Sequence, residues 1–328
     1  MVVDVLKDIF KKAEAEKGFL PVEKIALWYN ALTTVVILIC HQTIVRSSEM
    51  IWERFLIFMG ILVLMGIHRL YPCKFTVFTR VIYQMALLSY WYPDTFEFNR
   101  YLPNLDHLFA SAEQWIFGTQ PAFWLGRYFP QLWISEPLNL GYVSYFPMIA
   151  VVGVWYFLYR YEWFQKWAFV LAGSFFLYYI IFIMIPVAGP QFYFPVIGEE
   201  NVIHGIFPSL GDYFNTHSEL VIETDYEQGF FYSLVESSHE VGERPTAAFP
   251  SSHVGISTIL MCMAYRVSKR LFGFLLPFYL LMCVATVYIQ AHYVIDAIAG
   301  FITAFFIYSL FSWIYRCLYA KNPASQIS

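Results

Sequence analysis

Residues 250–300 read PSSHVGISTILMCMAYRVSKRLFGFLLPFYLLMCVATVYIQAHYVIDAIAG. Two apolar runs, 251–267 and 271–291, meet at the cations Arg266, Lys269 and Arg270, and a third run, 293–315, follows a short turn. A helix needs roughly 20 apolar residues to cross a bilayer, and Lys and Arg gather in the cytoplasmic connections. The stretch therefore reads as successive membrane helices with basic residues at one end. Polar residues stand at the other: Ser251, Ser252 and His253 before one run, His292 and Asp296 at the start of another.

Working outward, further apolar segments fall at 25–45, 51–70, 75–93, 142–160 and 167–187, with Arg80 interrupting the third of these. About eight spans are expected in all, giving an all-α polytopic membrane bundle. Composition agrees: 59% of residues are apolar, 21% aromatic and only 13% charged, against about 25% charged in soluble domains. A net charge of −4 argues against a nucleic-acid partner. With eight spans, fourteen of the twenty Lys and Arg lie on one side, in the stretches around 7–24, 69–74, 160–166, 266–270 and 316–321. The positive-inside rule then puts both termini in the cytoplasm and segments 94–141, 188–250 and 291–293 on the outer face. Residues 1–24 read as an amphipathic helix on the cytoplasmic surface, and no cleavable signal peptide is evident. Residues 25–328 read as a single transmembrane catalytic domain. Within it, 94–141 is expected to form short interfacial helices, and 188–250 an acidic outer loop with ten carboxylates. The five cysteines form no C-x-x-C pair and read as inert thiols.

Chemistry concentrates where two motifs share the outer face. In QAHYVIDAIAG (290–300), His292 and Asp296 are four residues apart, a spacing that stacks them on one helix face. The carboxylate is then expected to take a hydrogen bond from one imidazole nitrogen and leave the other free. In GERPTAAFPSSHVGIS (242–257), Ser251 or Ser252 is a natural N-cap. The first amides of that helix, with its positive dipole end, form an anion site. His253 in the first turn faces the bound anion. A phosphate held there could be attacked by His292 while His253 protonates the departing oxygen.

The phrases P-S-S-H (250–253) and H-Y-V-I-D (292–296) resemble the second and third signature motifs of the type 2 phosphatidic acid phosphatase superfamily. The resemblance spans about residues 180–310. It implies a core of six helices with the site near the membrane surface and no metal cofactor. It also implies His292 as the nucleophile that forms a phosphohistidine, Asp296 as its orienting group and His253 as general acid.

The departures from that pattern are informative. Ala285 and Thr286 stand where phosphatase members carry a Ser and an Arg six residues before the nucleophile, and Arg244–Pro245 has Ser237 where a Lys is expected. IPVAGPQFYFP (185–195), ATVYIQAHYVIDAIAG (285–300) and DHLFASAEQWIFGTQP (106–121) look instead like the inositol phosphorylceramide synthase branch. That branch moves phosphoinositol from phosphatidylinositol to ceramide, so a phospholipid donor and a lipid acceptor are the implied partners. Loss of the usual cations suits a singly charged phosphodiester better than a dianion. Arg244, Gln191, Tyr193, Ser251 and Ser252 are the remaining candidates for phosphate contact. The alternative within the family is a lipid phosphate phosphatase acting on phosphatidate or a prenyl pyrophosphate. The site would face the periplasm in a bacterial inner membrane or the lumen in a Golgi-type membrane. Two further readings of the residues stay open: His253, His292 and Asp296 as three ligands of a catalytic zinc, or a proton relay in a transporter. The paired halves expected of a transporter are not visible.

Overall fold

In the computed structural model, which describes residues 7–13, 18–220 and 225–319, the apolar runs are helices and the described residues contain no strand. The chain first forms α1 (Pro21–Ile39), α2 (Ser47–Leu70) and α3 (Lys74–Asn99), then the short helices α4 (Asp106–Phe117), α5 (Pro121–Tyr128) and α6 (Leu132–Val143). Next come α7 (Tyr145–Tyr159), α8 (Tyr161–Met184), α9 (Pro190–Ile197), α10 (Glu199–Ile203) and a 3-10 turn at Tyr213–Asn215. The series ends with α11 (Phe230–Gly242), α12 (Ser252–Val267), α13 (Lys269–Tyr288) and α14 (Val294–Tyr319). The protein is an all-α polytopic bundle.

Each of the eight expected spans falls on a helix. Five of them, α1, α2, α8, α13 and α14, are long and apolar enough to cross a membrane, and α6 with α7, bent by 46°, makes a sixth if taken as one span. Two fall short for physical reasons. Helix α12 has 16 residues, which cover about 24 Å at ~1.5 Å each, less than the ~30 Å hydrocarbon core. Helix α3 is long enough at 26 residues, but buried Arg80 and Gln84 interrupt its apolar run. Of the expected N-terminal surface helix, residues 7–10 are helical, whereas 1–6 and 14–17 lie outside the described residues. Segment 94–141 does form short helices. Segment 188–250 is less of a loop than expected, because α9, α10, the 3-10 turn and α11 occupy much of it.

The chain divides into two compact units. One comprises Met1–Leu88, Gly153–Phe176 and Phe306–Ser328. Its charged centre explains the arginines inside apolar helices. Arg80 donates from Nε and Nη2 to Glu23 at 2.7 and 2.5 Å, and Nη2 also reaches the Gly18 carbonyl at 2.9 Å. Glu23 in turn accepts the Leu20 amide at 2.7 Å, which closes the N-terminus of α1. Both charged side chains are fully buried. Arg54 likewise donates to Met50 O and Thr33 Oγ1.

The second unit comprises Ser89–Val152 and Leu177–Phe305, and it contains every residue of the candidate site. Leu138 and Tyr142 of α6 pack there with Tyr232 and Val235 of α11 and with Ala285 and Tyr288 of α13. A second cluster joins Ala110 of α4, Phe123 of α5, Tyr193 and Phe194 of α9, Val187, Ala248 and Tyr293. Burial of such aromatic side chains contributes about 1.5–3 kcal/mol each, so the loops that carry the polar residues are anchored on either side.

Removing one partner of a buried ion pair leaves an uncompensated charge, at a cost of about 3–5 kcal/mol. Glu23→Ala and Arg80→Ala are each expected to lower the melting temperature in detergent sharply. The double replacement Glu23→Leu with Arg80→Met should be milder than either single change. A double change as harmful as the two singles added together would contradict this account.

Candidate active site

Asp106, the first residue of α4, is fully buried and accepts four hydrogen bonds. They come from the Ala188 amide at 2.6 Å, the Gly189 amide at 2.8 Å, Asn104 Nδ2 at 2.6 Å and the Tyr293 hydroxyl at 3.0 Å. Burial pushes its carboxyl above the ordinary carboxylate range, and the four donors oppose that rise. One side chain thus ties the start of α4 to the 187–190 turn and to the residue beside His292. Gly189 sits in that turn at φ +96°, and a Cβ there would stand 2.8 Å from the Ala291 carbonyl oxygen. Only glycine allows this approach together with this backbone conformation.

The turn passes its position on. Val187 O accepts the Ala248 amide at 3.0 Å, and Gln290 O accepts the Gln191 amide at 2.9 Å. Ala247, at φ +69°, takes a left-handed conformation that costs a non-glycine residue about 1–2 kcal/mol. With its N–H committed to Val187, Ala248 presents its carbonyl to His292 Nδ1 at 2.8 Å. A carbonyl can only accept, so Nδ1 carries the proton and the lone pair lies on Nε2. Burial lowers the His292 pKa to about 4, against the raising influence of the Ala248 hydrogen bond and the charge of Glu243. At neutral pH His292 is an uncharged imidazole.

The expected hydrogen bond between His292 and Asp296 is not formed. Asp296 Oδ2 stands 3.8 Å from Nδ1 and accepts the Tyr293 amide at 2.9 Å instead. The reason is local: His292 lies in the turn ahead of α14 rather than within the helix, so the backbone carbonyl of Ala248 reaches the ring first. Glu113 of α4 accepts the Ile295 amide at 3.2 Å. Two acidic side chains thus accept amides at the start of α14, where helices leave donors unpaired. Burial, with Asp296 nearby, raises the Glu113 pKa to about 8.

Helix α12 begins as its sequence suggests. Ser251 is the N-cap, its hydroxyl accepting the Val254 amide at 3.3 Å, and its own amide donates to Asp296 O at 3.0 Å. Gly300 permits that contact, because a Cβ there would lie 2.3 Å from Ser251 O. His253 follows in the first turn, its ring beside Tyr142 at 4.9 Å and Tyr145 at 4.6 Å between centroids. Its Nδ1 is 3.5 Å from His292 Nε2.

The two histidines share a narrow pocket with Tyr92, Tyr142, Glu243, Thr246 and Ser252. Ser252 is on its wall, and Ser251 is behind it as the cap. Gln191 faces the pocket's carboxylate, donating from Nε2 to Glu243 Oε1 at 3.0 Å. Arg244 does not line the pocket; its guanidinium donates to the Glu243 backbone oxygen at 3.0 Å. Tyr193 also points elsewhere, its hydroxyl donating to Pro208 O at 2.8 Å. Among the described residues no Lys or Arg lines this pocket, and no three His, Cys, Asp or Glu side chains converge as metal ligands. The reading of His253, His292 and Asp296 as a zinc triad therefore has no geometric support.

The sequence pattern of the PAP2 superfamily matches residues 107–310, more than half of the chain. The chain belongs to the PAP2 superfamily. The protein is accordingly a lipid enzyme of the phosphatase or phosphotransferase type. No curated protein and no solved structure matches it. The matched span contains His253, His292, Asp296, Glu113 and Glu243.

Asp106, Glu113, Glu243 and the Ala248 carbonyl were not singled out from the sequence as site groups. A signal existed for the first two: seven residues apart on one short helix, they share a face with buried Ala110. The Asp106→Asn variant replaces one accepting oxygen by an NH₂ group that opposes the backbone amides. It is expected to cost about 2–4 kcal/mol, given about 1–3 kcal/mol for each buried group left unpaired. Thermal melts in micelles check the stability, and activity should fall in step. An Asp106→Asn protein as stable and active as the wild type would show that the hub is dispensable.

Proposed function

We propose that the protein is a lipid phosphotransferase of the inositol phosphorylceramide synthase type, moving phosphoinositol from phosphatidylinositol to ceramide through a covalent adduct on His292. The observation that carries this reading is the neutral His292, its Nδ1–H held by the Ala248 carbonyl and its Nε2 directed at His253. In this reading Nε2 attacks phosphorus and His253 protonates the diacylglycerol oxygen that leaves. The first amides of α12 and the Ser252 hydroxyl take the phosphoryl oxygens. A phosphoryl group between the two nitrogens needs more than their 3.5 Å separation, so the ring of His253 moves aside when substrate enters. Asp296 acts by holding the turn through the Tyr293 amide. The clustering of basic residues on the opposite connections supports a site on the periplasmic or lumenal side, with both termini cytoplasmic.

Charge favours a diester over a monoester. Glu243 lines the pocket where a cation would serve a dianion. At ~4 Å and an effective dielectric of ~20, each unit of phosphate charge costs about 4 kcal/mol against an ionised carboxylate. A phosphodiester carries one such unit and a phosphomonoester up to two.

Head-group-labelled phosphatidylinositol in mixed micelles, with and without ceramide, followed by thin-layer separation, tests the reading. A new labelled lipid that requires ceramide is expected, and His292→Ala and His253→Ala should each abolish it in protein that still folds. Asp296→Asn should cost well under the ~10⁴-fold that loss of an orienting carboxylate costs elsewhere, because Ala248 keeps the tautomer. Release of phosphate from phosphatidate or a prenyl pyrophosphate, with no ceramide-dependent product, would make the protein a phosphatase. Full activity in His292→Ala would contradict the mechanism.

A further inference from the structure

A carboxylate in a pocket that receives a phosphate is unfavourable unless it has a task. Glu243 is positioned rather than merely present. Its Oε1 accepts Gln191 Nε2 of α9 at 3.0 Å and the Tyr92 hydroxyl of α3 at 3.3 Å. Its Oε2 takes no hydrogen bond among the described residues, and the side chain lines the same small pocket as His253 and His292. One oxygen is clamped, and the other is available in the pocket that His292 also lines.

Transfer to a lipid alcohol proceeds in two halves with opposite proton demands. The first needs an acid for the departing diacylglycerol oxygen, and the second needs a base for the incoming hydroxyl. We propose that Glu243 is that base, taking the proton of the acceptor lipid's hydroxyl as its oxygen attacks the phosphoryl group on His292. The proposal rests on the transferase reading and divides the proton work between two residues.

The steps balance. In the first, His292 Nε2 forms the N–P bond, the P–O bond to diacylglycerol breaks, and the proton on His253 passes to that oxygen. In the second, the acceptor hydroxyl gives its proton to Glu243 Oε2, its oxygen forms the new P–O bond, and the N–P bond breaks to restore neutral His292. Passage of the proton from Glu243 back to His253 through solvent completes the cycle. No oxidant, metal or further reactant is needed.

Titration is consistent with the task. Burial raises the Glu243 pKa to about 7, and the Tyr92 and Gln191 hydrogen bonds and Arg244 oppose that rise. Tyr142 of α6, Thr246, and Ser252 and His253 of α12 are the other polar groups that line the pocket with it and His292. A base must be unprotonated to act, so the second half-reaction should rise with pH up to about 7 and level off above it.

The test uses the full chain in mixed micelles and follows the two halves separately. With head-group-labelled phosphatidylinositol and no ceramide, the wild type and Glu243→Gln should each bind label covalently and release one equivalent of diacylglycerol, while His292→Ala should do neither. On addition of ceramide, Glu243→Gln should discharge about 10²–10⁴-fold more slowly than wild type. Discharge within about threefold of wild type overturns the proposal and leaves the transferase reading intact. So does loss of the burst in a variant that melts like the wild type, because Glu243 then serves the first half. If Glu243→Gln does not fold, chasing labelled wild type with ceramide from pH 5.5 to 8.5 decides: a rise of about tenfold per unit below pH 7 supports the proposal, and a flat profile overturns it. Wild type that forms neither labelled protein nor labelled lipid contradicts the transferase reading and this proposal together.

Discussion

The site depends on one buried carboxylate that touches neither histidine. Asp106 gathers donors from residues 82, 83 and 187 positions away in sequence, and every later contact follows from that convergence. The amides it holds fix the 187–190 turn. The turn fixes Ala248, and Ala248 fixes the tautomer of His292, while the Tyr293 hydroxyl holds the next residue from the other side. Burying one charge with four hydrogen bonds is far less costly than burying it bare. The arrangement works as a unit, and it is why a short helix outside the long spans matters to the chemistry.

Around that frame the electrostatics run opposite to a cationic phosphate site. His292 is kept neutral by burial, the one acidic side chain lining the pocket is Glu243, and Arg244 beside it is turned onto a backbone oxygen. In the proposed reading phosphate is left to amides, a helix end and hydroxyls. Such donors suit a singly charged diester, whose negative charge need not be fully compensated. Membership of the PAP2 superfamily accounts for the chemistry common to phosphatases and transferases, and the charges of this particular pocket are the ground on which transfer is proposed.

What the sequence made legible was local. The alternation of apolar runs with basic connections gives the helices, and the serine before His253 gives the cap, because both are encoded within a few residues. The short α12 and the interrupted α3 were harder, since an apolar run does not reveal whether its helix reaches across a bilayer. Long-range partners left little trace. Glu243 is one of ten carboxylates in an acidic stretch, and nothing in its neighbours separates it from the others. Arg244 beside it looked the better phosphate ligand by charge alone, yet in the fold it contacts the backbone. The orienting group for His292 turned out to be a main-chain carbonyl, which no residue type announces. A carboxylate four residues from a histidine was a sound expectation only if both lay inside one helix, and the helix begins after His292.

The central claim is that His292 is a neutral imidazole with its proton on Nδ1, and nitrogen NMR of the histidine-labelled protein in micelles reads it directly. The His292 resonances, assigned by their loss in His292→Ala, should show a protonated Nδ1 and a bare Nε2 from pH 8 downward, with half of the rings charged only at about pH 4. A ring that titrates near its ordinary value of ~6.5, or one that carries its proton on Nε2, would contradict the account.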